Sequence, residues 1–233
     1  MTLLSVVQDA ATSLGLNPVP DQVFGSTRRD MVEMRSVIKE VSRQIAEAHD
    51  WSVLKTIHTI TGDGSDEDFS LPADYDRMPK DIRFWSSLNT TAPLQHILSE
   101  DEWLGITVQG FDPLYGAWIV YGGEIHIKPA RASGETVKFF YISDKIVTAS
   151  GGSTKAAFSA DDDTFRLPER LLKLGIIWNW KARKGHEYAE EMATYSDALM
   201  QLTGKDKGPS IITVGQQRLP YNIHYAYPLG LGS

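Results

Sequence analysis

The sequence predicts an α+β fold: a helical bundle formed by the N- and C-terminal segments, with a β-rich insertion and an extended C-terminal arm. Three observations predict it. Apolar residues recur at helical spacing in two separated regions, they alternate at every second position between these regions, and they alternate again after a polar linker near the end. The predicted domains are the bundle at 1–52 and 164–204, the insertion at 53–163 and the arm at 205–233.

Two helices are predicted before the first strand. Residues 3–15 place apolar side chains on one face, and the proline-containing residues 17–20 end this helix. A longer helix is predicted after Thr27, which with Asp30 resembles a capping box, and it ends near Asp50. Its apolar seam is heptad-like, so packing within the subunit and a coiled coil with another chain both stay open. The seam consists of Met31, Met34, Ile38, Val41, Ile45 and Ala48.

The middle of the chain alternates apolar and polar residues, which predicts strands. The clearest hairpin surrounds Gly122-Gly123, because two glycines accept the positive φ of a tight primed turn. A short helix is predicted to start at Ser99, where the acidic residues that follow favour the positive end of a helix. The predicted strands are residues 53–61, 68–71, 81–87, 94–98, 117–121, 124–128 and 136–142.

A second helical region is predicted after a flexible loop at residues 149–154. Its first helix begins near Pro168 and is apolar nearly all round, which predicts a central position among the helices. Gly185 breaks or kinks this helix, and Gly204 caps the helix that follows. The seam of that following helix is Tyr188, Met192, Tyr195, Leu199 and Leu202.

The C-terminal arm carries the predicted partner-binding residues. They are apolar and occupy alternate positions after a polar linker at residues 204–210, so an extended strand places them on one face. An apolar tail on a linker is a liability in a monomer, and addition as a strand to another chain would bury it. Folding back onto the chain's own β-rich insertion is the alternative. The residues are Leu219, Tyr221, Ile223, Tyr225 and Tyr227.

The composition argues against several classes of protein. The absence of cysteine excludes disulfides and thiolate metal sites, and it fits a reducing compartment. A net charge of −7 and scattered Lys and Arg residues argue against sequence-specific binding of duplex DNA. The sequence has no apolar run of about 18 residues, so no membrane-spanning helix is expected. The first residues lack the basic region of a secretory signal, so secretion is not expected either.

The chain contains three partial matches to catalytic or metal-binding patterns. The run from His186 to Glu190 begins like a zinc-protease helix, but Glu190 stands where a second histidine is needed. The three aspartates at 161–163 match a calcium loop only in part, and a solvated turn is the alternative. Glu100 and Glu102 are carboxylates of the type that hydrolyse glycans, but acids at a helix start have a simpler explanation. No catalytic, cofactor-binding or metal-binding residue is therefore predicted.

Three stretches of the sequence carry a family resemblance. Asp50-Trp51-Ser52 follows the long helix, and the run Asp-Phe-Ser-Leu-Pro-Ala-Asp-Tyr-Asp-Arg-Met occupies residues 68–78. The run Leu-Lys-Leu-Gly-Ile-Ile-Trp-Asn-Trp-Lys at 172–181 leads into Tyr-Ala-Glu at 188–190. These stretches resemble the head-to-tail adaptor proteins of tailed bacteriophages, also called connectors or tail tubular proteins. The resemblance extends over residues 3 to 204 and rests on packing and turn patterns.

The resemblance implies a structural virion protein and not an enzyme. It implies a homo-oligomeric ring of about twelve copies in the head-tail neck, below the portal, assembled in the host cytoplasm. Such a ring joins the portal protein to tail or nozzle proteins, and genomic DNA passes through its lumen during ejection without sequence-specific binding. The terminal arm then grips the portal or a neighbouring subunit. No cofactor and no membrane contact are implied.

Two other roles stay open at this level. One is a different neck component, such as a stopper or a tail terminator, which differs from an adaptor in its direct neighbours. The other is a cell-wall hydrolase carried in the virion, which has only the unplaced carboxylates in its favour.

Overall fold

The computed structural model describes residues 1–206, and its α-helices and β-sheets confirm the predicted α+β class. The predicted arm from residue 207 onward lies outside the described residues. Residues 205 and 206, which the sequence analysis placed in the arm, belong to the last described helix. The described helices are α1 (Leu3–Ser13), α2 (Arg29–Glu47), α3 (Glu100–Gln109), α4 (Glu169–Lys184) and α5 (Ala189–Asp206).

The strands are short, and the hairpin around Gly122-Gly123 is confirmed: β6 and β7 pair antiparallel, with Tyr121 opposite Glu124. Both glycines have positive φ, 63° and 86°, as the turn requires. The first part of the predicted strand 53–61 is instead a 3-10 turn at Ser52–Leu54. The strands are β1 (Lys55–Thr61), β2 (Asp68–Ser70), β3 (Tyr75–Arg77), β4 (Trp85–Ser86), β5 (Gln95–His96), β6 (Ala117–Tyr121), β7 (Glu124–Lys128), β8 (Thr136–Ser143), β9 (Val147–Thr148), β10 (Thr154–Lys155) and β11 (Thr164–Phe165).

The described chain divides into two compact units. The helical unit consists of Met1–Lys55 and residues 142–206, and the β unit consists of Thr56–Tyr141. Residues 142–163, which the sequence analysis assigned to the β-rich insertion, group with the helices. They do so because the small sheet β10-β9-β11 contributes Val147 and Phe165 to the core of the helical unit.

In the helical unit, α4 contacts α1, α2 and α5. This central position follows from its apolar residues on nearly every side, as predicted. Gly175 marks the close approach of α4 to α2, because a Cβ there would lie 2.4 Å from Val41 Cγ1. The apolar seam of α2 is buried within this unit, apart from the exposed Ala48, so the seam packs inside the subunit. Gly185, with a φ of 71°, ends α4 rather than kinking it.

Two predicted helix caps were wrong. Arg28, not Thr27, is the N-cap of α2, and no side chain caps that end. Asp30 instead accepts hydrogen bonds from the Arg28 side chain and from the backbone N–H of Met31. Gly204 lies inside α5, which continues to Asp206. The carboxylate of Asp206 accepts hydrogen bonds from the side chain and backbone N–H of Ser52 at 2.6 and 2.9 Å, which ties the end of α5 to the residues after α2.

The β unit has three layers. One sheet has the order β1-β8-β3, with β4 also pairing with β8, and the other has the order β2-β7-β6-β5. The apolar core between the sheets contains a ring stack in which Phe84 lies 3.8 Å from Trp118 and 4.0 Å from Phe139, between centroids. On the far side of the second sheet, Trp103 and Ile106 of α3 pack against β6. The layers are therefore sheet, sheet and helix.

Candidate interaction surfaces

The predicted partner-binding residues of the arm lie outside the described residues. They are Leu219, Tyr221, Ile223, Tyr225 and Tyr227. The interaction surfaces described below therefore belong to the helical unit and the β unit. They are identified by exposed apolar side chains and by charge.

The outward side of α3 is apolar and exposed. Ser99 caps the helix by accepting a hydrogen bond from the Glu102 N–H, and Gly110 ends it with a φ of 64°. Trp103 and Ile106 face the second sheet, so Leu104 and Val108, four residues apart, share the opposite side of the helix, and the exposed Phe111 follows the Gly110 cap. We define the α3 surface as these residues with the flanking leucines. Their exposed fractions are 85% for Leu98, 58% for Leu104, 78% for Val108, 61% for Phe111 and 85% for Leu114.

The α3 surface is also acidic. The first turn of α3 contains Glu100, Asp101 and Glu102, where carboxylates are favoured by the partial positive charge of the helix N-terminus. Asp112 follows the helix, and residues 98–115 contain no Lys or Arg. The exposed apolar side chains therefore lie in a segment that contains four acidic residues and no basic residue.

The first sheet presents a second apolar face to solvent. Along β8, Val137, Phe139 and Tyr141 enter the core, so Lys138 and Phe140 point outward. Trp85 of β4 pairs directly with Lys138 and shares its side, and Ile57 of β1 alternates with the inward His58 and Ile60. We define the outer sheet face as Ile57, Trp85, Lys138 and Phe140. Ile57 is 57% and Phe140 49% exposed, and β1, β4 and β8 contain no acidic residue.

A cleft of about 380 Å³ lies at the edge of the second sheet. His96 in its lining stacks on Trp118 with ring centroids 4.0 Å apart. The indole N–H of Trp118 is buried and has no hydrogen-bond partner within the described residues. Leu98 and Glu100 also line the cleft, so it adjoins the start of the α3 surface. It is large enough to take one side chain of a partner.

The exposed cations at the start of α2 are paired with acids. Arg28 contacts Asp30, and both Arg29 and Lys184 contact Glu33. The hydrogen bonds from Lys184 and Arg29 hold the pKa of Glu33 below its usual value. This surface therefore has less free positive charge than its three cations, Arg28, Arg29 and Lys184, would suggest, which fits weak attraction to DNA phosphates.

A comparison with protein families decides the assignment. The family model described as SU10 adaptor protein matches residues 1–215. The chain belongs to the SU10 adaptor family. Membership confirms the predicted resemblance to phage head-to-tail adaptors, and it makes the protein a bacteriophage structural component. The family implies interaction with portal and tail components. A search of curated proteins found no match.

The partial catalytic patterns have structural explanations in this SU10 adaptor. Asp161 accepts hydrogen bonds from the backbone N–H groups of Val23 and Phe24, and Asp163 is buried against Lys155. Within residues 1–206 no three His, Asp or Glu side chains are grouped so that they could hold a metal ion. None of the helices in that range is both long and apolar enough to cross a bilayer.

The residues of the other two patterns are exposed. His186 and Glu187 precede α5 and are exposed, so they do not lie on a helix as a zinc-protease motif requires. Glu100 and Glu102 are exposed in the first turn of α3 and belong to the α3 surface segment. The family is one of structural adaptors.

Acidification is expected to destabilise the β unit of the adaptor. Burial lowers the pKa of His58, whose ring lies 5.4 Å from that of Phe139, although the charge of Asp74 partly opposes this. Burial also lowers the pKa of His96. The unfolded chain therefore binds more protons than the folded unit, so stability falls as the pH drops below about 6.5, the ordinary pKa of histidine.

Thermal unfolding followed from about pH 8 to pH 5 measures this effect. The double variant with His58→Gln and His96→Gln should show a smaller fall in the midpoint temperature over that range. His186→Gln, which changes an exposed histidine outside the β unit, is the control and should leave the fall unchanged. An equal fall in all three proteins would show that these two rings do not cause it.

Proposed function

We propose that this SU10 adaptor assembles into a ring of about twelve copies that joins the portal to tail or nozzle proteins. The ring lies in the head-tail neck of the virion after assembly in the host cytoplasm, and genomic DNA passes through its lumen. The observation that carries the proposal is the family match over residues 1–215, which includes all described helices and strands.

Within the ring, α1, α2, α4 and α5 act as one helical bundle domain. The contacts of α4 with the other three support this. The β-rich insertion and the C-terminal arm are separate parts of the subunit. We place the boundary between bundle and arm after α5, which includes residues 205 and 206.

The arm binds the portal through its alternate apolar residues. The support is the sequence pattern from Leu219 to Tyr227, in which one face of an extended strand is apolar. Strand addition would pair the backbone of the arm and bury this face at the same time. The net charge of −7 and the paired cations at the start of α2 support a lumen that passes DNA without tight binding.

The mass of the complex formed with the portal protein of the same virus tests the proposal. The full chain should give a ring of about twelve copies on the portal. A chain truncated after Gly208 should fold and fail to join the portal. Normal joining by the truncated chain would show that the arm is not the portal-binding segment.

A matched pair of variants tests the two faces of the arm. Replacing Tyr221, Ile223 and Tyr225 by serine should weaken portal binding at least about tenfold, because alternate apolar anchors carry a strand-addition interface. The same change at Asn222 and His224 should have little effect. If the portal is not bound by the folded full chain, a stopper or tail terminator becomes the better assignment, and a cell-wall zymogram then tests the hydrolase alternative.

A further inference from the structure

The β unit exposes large apolar side chains on both of its outer layers. The α3 surface alone contains five leucine, valine or phenylalanine side chains that are each more than half exposed. A surface helix ordinarily turns such residues toward the core, and contiguous exposed apolar patches mark interaction sites. The outer sheet face adds Ile57 and Phe140.

These two surfaces lie on opposite sides of the β unit. In β6, Trp118 and Val120 point toward the core between the sheets, while Ala117 and Ile119 point toward α3. In β8, Phe139 points toward that same core from the other sheet. The α3 surface is therefore the outside of the helix layer, and the outer sheet face is the outside of the opposite layer.

The two surfaces are complementary in charge. The α3 surface lies in a segment with four acidic residues and no Lys or Arg. The outer sheet face has Lys138 at its centre, and its strands β1, β4 and β8 contain no acidic residue. Asp76 of the neighbouring β3 is paired with Arg77. Two copies that met through their α3 surfaces would bring eight carboxylates together, which like-charge repulsion opposes.

We propose that the α3 surface of one copy binds the outer sheet face of the next copy. Because the two surfaces differ and lie on opposite layers, the contact is heterologous, and each copy uses one surface for each neighbour. Repeated contacts of this type close into a ring when the rotation between copies allows it. The inference rests on the proposed ring and adds the residues by which its β units contact one another.

Site-directed cross-linking tests this contact, because the chain has no cysteine of its own. Chains with Val108→Cys are mixed with chains with Ile57→Cys, assembled on the portal and treated with a short bismaleimide. Mixed cross-linked dimers are expected, and the double variant should give a ladder of higher oligomers. Val108→Cys alone should give no dimer. Val108→Cys mixed with Met200→Cys, an equally exposed position on α5, is the control and should give none either.

Charge reversal tests the same contact without a cross-linker. Lys138→Glu places a carboxylate against the acids of the α3 surface and should lower the yield of rings about tenfold. Adding Glu102→Lys should restore part of the yield. Lys39→Glu, an exposed position on α2, makes the same charge change elsewhere and should leave the yield unchanged. Hydrogen exchange on each free variant checks that the subunits are folded.

The outcomes separate this contact from the proposed function. A ring that forms normally but shows no cross-link between Val108→Cys and Ile57→Cys overturns the contact and leaves the adaptor ring intact. Cross-linking of Val108→Cys to the portal, or to itself, also overturns it, because another occupant then covers the α3 surface. Failure of the unmodified chain to form any ring overturns the proposed function and the contact with it.

Discussion

Phe84→Ala is expected to lower the free energy of unfolding of the β unit by about 3 to 5 kcal/mol. The ring of Phe84 is fully buried between Trp118 and Phe139, with centroid distances of 3.8 and 4.0 Å. Removing it leaves a cavity between the two sheets and breaks the stack on both sides. His96 also stacks on Trp118, with ring centroids 4.0 Å apart, so the stack joins four rings from four separate segments.

Hydrogen exchange measured by mass spectrometry reports the effect separately for each unit. Phe84→Ala should accelerate exchange in β6, β7 and β8 far more than in α1, α2 and α4. Phe111→Ala removes the same ring from an exposed position of the α3 surface, so it should change β-unit stability much less. Equal effects of the two substitutions would contradict the buried stack as the main source of stability.

The helices were predictable because their apolar spacing is long and regular. The seam of α2 extends over more than four turns, and α4 is apolar nearly all round, so both the elements and the central position of α4 follow from the pattern. The start of α2 could not be predicted from spacing alone. Thr27 and Asp30 have suitable spacing, but the carboxylate of Asp30 is engaged by Arg28, so the helix starts one residue later.

The short strands were harder to predict for a physical reason. β3, β9, β10 and β11 have two or three residues, too few to show a period of two. The predicted strands 81–87 and 94–98 also shorten to two residues each. Asp81 has a φ of 61°, which is incompatible with an extended strand at that point.

The two candidate surfaces of the β unit were missed because their residues look like core residues in the sequence. In β8, Phe139 and Phe140 are adjacent and equally apolar, and only the sheet shows which one is exposed. In α3, Leu104 and Val108 alternate with Trp103 and Ile106, so either pair matches the spacing of a buried face. One sequence feature could have indicated the α3 surface. Residues 98–115 contain four acidic residues and no Lys or Arg, so no basic side chain of this segment neutralises them.

Asp163→Ala is expected to lower the free energy of unfolding of the helical unit by about 2 to 4 kcal/mol, because buried donors lose their acceptor. The carboxylate is 1% exposed and accepts hydrogen bonds from Lys155 Nζ at 2.7 and 2.8 Å. It also accepts from the backbone N–H groups of Ser159 and Ala160 at 2.8 and 3.0 Å. These bonds fold the loop that leads from β10 to β11.

Chemical denaturation at neutral pH measures the effect of Asp163→Ala, and Asp162→Ala is the matched control. Asp162 is the adjacent, exposed aspartate, so its removal changes the charge equally and should leave the midpoint nearly unchanged.

Burial raises the pKa of Asp163, but the bonds from Lys155, Ser159 and Ala160 outweigh it and lower the pKa below its usual value. The Asp163 carboxylate therefore stabilises the helical unit above about pH 3.9, and this stabilisation is lost as the pH falls through the lowered pKa. Protonation removes the same acceptor as the substitution does. The free energies of unfolding of Asp163→Ala and of the unmodified chain should therefore differ least in acid. A difference that stays constant down to that range would show that packing, not the carboxylate charge, holds the loop.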